Sequence, residues 1–123
     1  MSTRTFPLDV VLSLTTGTLL CRFSDMHELI EHVAGEPVWT HQLASQPFTD
    51  QLKAAVVRQH PWLANVIDPD FTGVDREDMQ VACLSYVAHV RLEHGVSELP
   101  IESGSIHTSF ASGLENLGKG RQA

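Results

Sequence analysis

"VVLSLTTGTLLCRF", residues 10–23, decides the fold class of this chain. Its β-branched residues flank Thr16-Gly17, which suits a β-hairpin over 10–23. Strict alternation fails at Val10-Val11-Leu12, whereas Leu8, Val11, Leu12 and Thr15 keep helical spacing. Pro7 fits a first helical turn, where its missing N–H costs nothing, and Gly17 suits the left-handed position that ends a helix. The expected element is a helix over Pro7–Thr15, and the expected class is all-α. The hairpin is the alternative.

Outward from this stretch, four more segments read as helices. "SDMHELIEHVAG" carries Ser24 as N-cap, an apolar stripe of Met26, Leu29, Ile30 and Val33, and Gly35 as its stop. A third helix is expected from Thr49, its N-cap, to Gln59, ended by Pro61. The fourth, Arg76 to His94, is capped by Asp75 and closed by Gly95. From Val81 to Val90 it is apolar almost all round, the pattern of a helix enclosed by protein, so residues 76–94 are expected to form the central axis of the core. Residues 96–107 read as loop, and a last helix is expected over Ser109–Leu117. The whole is a compact bundle of about five helices, one domain over 1–117 with 118–123 as a flexible tail.

Composition narrows the function classes. The 123 residues are 42% hydrophobic and 19% charged, as in globular proteins. Net charge is −7, with only eight basic residues, no two adjacent. Gripping phosphate requires clustered Lys and Arg, so direct nucleic-acid binding is disfavoured. The N-terminal apolar run is broken by Asp9 and is too short for a membrane span, so a cytoplasmic protein is expected. Cys21 and Cys83 lie in no C-x-x-C motif, and two cysteines alone do not decide between a disulfide and free thiols.

The seven histidines raise the question of a metal. Two ligands on one helix need a spacing of three or four, but the pairs His27/His32 and His89/His94 are five apart. At about 100° per residue the two rings of each pair point roughly 140° apart. A site would need separate segments, such as His41 with His60. "DPDFTGVDREDM", residues 68–79, opens like a calcium loop but has Arg76 and Met79 at its ninth and twelfth positions. An Asp-Pro turn, Gly73 and a cap at Asp75 explain the same residues. No nucleophile sits in a G-x-S-x-G context, and no phosphate-binding glycine pattern occurs. No metal, cofactor or catalytic residue is assigned.

Two segments pair His with Trp: "VWTHQL", residues 38–43, and "QHPWL", residues 59–63. They flank the third helix. Trp39 and Leu43 are expected to face the core, with Thr40, His41 and His60 satisfying backbone groups. The surface beside them makes Trp39, His41, Gln42, His60 and Trp62 the candidate partner-binding residues, since tryptophan is enriched in binding hot spots. Asp68, Asp70, Glu77 and Asp78 form a candidate acidic surface able to mimic nucleic-acid phosphate.

"FPLDVVLSLTTGTLL", "THQL", "QHPWL" and the later "HGVSELPI", in this order over residues 6–101, resemble a family of small uncharacterised proteins encoded by bacteriophages, including phages of actinobacteria. Ala44 stands where that family usually has Pro after "THQL". The resemblance carries no activity and no functional residue. It implies a phage accessory protein that binds a host or phage protein stoichiometrically, in host takeover or in blocking a defence system, in the cytoplasm of the infected cell. The alternatives are a small metal-assisted enzyme using His41 and His60, and an acidic nucleic-acid mimic.

Overall fold

A computed structural model describes residues 3–104. The order is strand β1 (Thr3–Pro7), helix α1 (Leu8–Thr16), α2 (Phe23–Ala34), α3 (Gln46–Gln59), α4 (Met79–His94) and strand β2 (Glu98–Glu102). Short 3-10 turns cover Thr40–Ala44, Pro61–Asn65 and Arg76–Asp78. The fold is mainly helical, with four α-helices among the described residues rather than five, and it carries a small sheet that the all-α expectation lacks. The expected helix at Ser109–Leu117 and the tail lie outside the described residues.

Residues 10–16 are helical, so the hairpin over 10–23 does not form. Pro7 precedes the first turn in an extended conformation, and Gly17 ends α1 at φ 78°. A buried serine holds the return of the chain. Ser13 Oγ donates to the Asp9 carbonyl at 2.7 Å and accepts the Leu20 N–H at 2.8 Å. The loop after Thr16-Gly17 is thus pinned onto α1 by a side chain, not by strand pairing.

α1, and not the 76–94 segment, is the core's axis. Leu8, Val10, Val11, Leu12, Ser13 and Leu14 are all buried, while α4 buries only Val90. Val81, Leu84 and Leu92 of α4 are 64%, 63% and 84% exposed. The expectation failed because an all-round apolar pattern measures how much surface a helix could bury, not whether partners are present to cover it.

α2 presents Leu29, Ile30 and Val33 to the core, as its stripe requires. It starts two residues earlier than expected, with Arg22 and not Ser24 at the cap position. α3 starts three residues before Thr49: Ser45 occupies the cap, Pro47 the first turn, and the Thr49 hydroxyl donates back to the Gln46 carbonyl. Proline tolerates that turn for want of an N–H, so the helix reaches back through it. It buries Phe48, Leu52, Ala55 and Val56. Asp75 stands at the N-cap position of the 3-10 turn Arg76–Asp78 without a side-chain capping bond, and α4 follows, closed by Gly95.

β1 and β2 pair antiparallel, with Phe6 opposite Leu99 and Thr5 opposite Pro100. Phe6, Leu99 and Ile101 face the core. The reading of 96–107 as loop is overturned at 98–102. Side chains from the helices dress this strand: His32 Nε2 donates to the Ile101 carbonyl at 2.6 Å, His60 Nε2 to the Pro100 carbonyl at 2.7 Å, and Gln59 Oε1 accepts the Glu102 N–H at 2.8 Å. Beyond β2, Gly104 comes so close to Gly35 that a Cβ on Gly35 would lie 2.8 Å from its Cα.

Candidate functional site

The two His/Trp segments stand at opposite ends of α3, whose 14 residues span about 21 Å. At the first corner, Val38 is buried; its N–H reaches Glu31 Oε2 at 2.9 Å and its carbonyl accepts His27 Nε2 at 2.7 Å. The Trp39 N–H donates to Gln42 Oε1 at 2.7 Å, and the Gln42 N–H returns to the Trp39 carbonyl at 2.9 Å. Glu31, His27 and Gln42 therefore satisfy the corner's backbone. Thr40 and His41, expected in that role, are exposed and have no side-chain hydrogen bond among the described residues.

Trp39 is 71% exposed, which overturns the expectation that it faces the core. Leu43, half-buried, does pack against the core. The reason is the 3-10 turn: its first residues project outward while Val38, one residue earlier, takes the core position.

Beside this corner lies an apolar groove of about 390 Å³, lined among others by Leu19, Phe23, Met26, Ile30 and Leu43. Leu19 and Phe23 are 48% and 41% exposed. Phe23 stacks on His27 at 5.9 Å between ring centroids, and His27 holds Val38, so groove and corner share one scaffold. This groove was missed in the sequence. Its signal is "LLCRF", apolar residues placed between the stop of one helix and the start of the next.

The second corner behaves differently. His60 satisfies a backbone group, but on β2 and not at the end of its own helix. Trp62 is half-buried, its ring 4.4 Å from that of His94. Thus Trp39 is presented outward and Trp62 is packed inward.

A shared ion between His41 and His60 is incompatible with this placement. Zn–N bonds are about 2 Å long, the two residues flank a helix ten times that length, and His60 Nε2 is committed to Pro100. No three His, Cys, Asp or Glu side chains gather in metal-ligand fashion among the described residues. Cys21 and Cys83 are free thiols. Burial, followed by the nearby Asp9 and Asp25, pushes the Cys21 thiol up, against a lowering contact from Ser13.

All four acids are exposed. Asp68 and Asp70 line a groove of about 470 Å³ with Tyr86, His89 and Glu93. Glu77 and Asp78 precede α4, about 12 Å along the axis from Tyr86. The Thr72 side chain, and then the Thr72 N–H that Asp70 accepts at 3.1 Å, hold the Asp70 carboxyl below the usual range, and Gly73 turns the chain at φ 82°. The segment is built as a turn. Tyr86 donates to the Ile67 carbonyl at 2.6 Å; burial and then Asp68 push its hydroxyl up.

No described helix is long and apolar enough to cross a membrane. No curated protein and no solved structure matches the chain. Residues 6–66, which hold α1, α2, α3 and both corners, match the model of an uncharacterised family described as a domain of unknown function (DUF7736).

Proposed function

We propose that the protein is non-enzymatic and acts by stoichiometric binding to another protein through the Trp39 corner and its adjoining groove. The observation that carries this reading is Trp39 itself, 71% exposed on a turn whose backbone is tied down by Gln42. A large aromatic on a fixed backbone has only two side-chain torsions to order on docking, which suits a hot-spot residue. The apolar groove at Leu19, Phe23 and Leu43 supplies desolvating area beside it, suited to an apolar side chain or helix face of a partner. The resemblance to phage-encoded proteins supports a bacterial host protein as that partner, in host takeover or defence blocking, inside the infected cell.

The test is a quantitative binding comparison. Full-length protein is used to purify a partner from host cells, and the complex is rebuilt from pure components. A 1:1 complex weakened about 30-fold or more by Trp39→Ala, with circular dichroism unchanged, supports the proposal. Equal binding by Trp39→Ala, or no stoichiometric complex, rejects it. Neutralising Asp68, Asp70, Glu77 and Asp78 separates the mimic: competition with DNA that vanishes in that variant would favour mimicry instead.

A further inference from the structure

α4 carries a second apolar face. Val81, Leu84, Ser85, Ala88 and Leu92 recur at helical spacing along one side, and the three large ones are 64%, 63% and 84% exposed. The opposite side, through Cys83, Tyr86, Val87 and Val90, already packs on the core. The outer stripe runs about 17 Å and has small residues, Ser85 and Ala88, at its middle. Small central residues let two helix backbones approach closely, with bulkier Val81 and Leu92 closing the ends.

We infer that this face is covered by a second copy of the same chain, with the two α4 helices antiparallel across a two-fold axis near the middle of the stripe. Charge selects that occupant and that direction. Glu77 and Asp78 outweigh the neighbouring Arg76 at the start of the helix, while Arg91 and His94 sit in its last turn. Glu93, the acid at that end, lies 3.7 Å from His89 and 3.9 Å from His94. Antiparallel pairing sets the acidic start of each helix against the Arg91 end of the other, twice by symmetry, and opposes the helix dipoles favourably. Parallel pairing would set acid against acid and Arg91 against Arg91. A single helix stripe makes a small interface, so the dimer is expected to be weak and concentration-dependent.

Sedimentation equilibrium of the full chain from about 1 to 200 µM tests this. The expected result is a monomer–dimer equilibrium that Leu84→Glu abolishes without change in circular dichroism, since Leu84 is exposed in the monomer. Arg91→Glu should weaken dimerisation about tenfold or more, and adding Glu77→Arg should restore it. A monomer throughout overturns the inference and leaves the stripe to residues 105–123 or to an unrelated protein. Self-association indifferent to Leu84→Glu overturns it too, by locating the interface elsewhere. Failure of Glu77→Arg to rescue Arg91→Glu overturns the antiparallel pairing.

Discussion

His32 Nε2 lies 2.6 Å from the carbonyl oxygen of Ile101, joining α2 to a strand 69 residues further along the chain. Because a carbonyl only accepts, the ring must carry its proton on Nε2. The same ring sits 5.2 Å from that of Phe6, so one imidazole touches both strands. A two-stranded sheet is marginal alone, and here it is held by the helices.

Removing that bond should loosen the sheet first. His32→Ala is expected to cost about 1–2 kcal/mol, and His60→Ala, which loses the more exposed bond to Pro100, about 0.5–1 kcal/mol. Urea melts give the totals. Amide exchange at residues 3–7 and 98–102 should rise in both variants; protection unchanged there would mean the helices do not hold β2.

Ser13 makes a sharper case. Ser13→Ala leaves the Leu20 N–H buried without its 2.8 Å acceptor, at an expected cost of about 1–3 kcal/mol. Ser13→Cys should recover little, because sulfur is a weak acceptor. A thermal melt of Ser13→Ala equal to that of the parent would show that the loop after Gly17 is held by something else.

Gly35 combines two demands. It ends α2 at φ 78°, and an added Cβ would meet the Gly104 backbone at 2.8 Å. Gly35→Ala should therefore destabilise by about 2 kcal/mol or more, whereas Gly17→Ala, at the same φ with open space around it, should cost about 1–2 kcal/mol. Equal losses at the two sites would refute the close approach to Gly104.

Cys21 supplies a pH dependence. Its folded thiol is held above the ordinary range, chiefly by burial. The folded state thus favours the protonated thiol; that contribution is complete below the unfolded thiol's pKa and is lost as pH rises through and beyond it. Stability should decline through the alkaline range, and Cys21→Ser should flatten part of that decline. At neutral pH, Cys21 should react with iodoacetamide more slowly than the thiol of an unfolded peptide. Faster reaction would contradict the burial of the thiol.

Local chemistry was legible in the sequence. Pro7, Gly17, Gly35 and Gly95 stand at helix boundaries because they act through their own φ and their own N–H, with no help from distant residues. The helical reading of "VVLSLTTGTLLCRF" rests on the same local rules. The stripe on α2 likewise needs only its spacing. What only the tertiary structure decided is which apolar surfaces are covered. α4 reads as apolar on nearly every side and α1 as a helix with one spaced apolar set, yet α1 is enclosed and α4 leaves Val81, Leu84 and Leu92 in water. β2 could not be found because its five residues, broken by Pro100, are a strand only where β1, His32, His60 and Gln59 meet them. Trp39 and Trp62 differ for the same reason: burial is a property of what packs against a residue, and a sequence fixes how far apart residues are along the chain, not which of them meet.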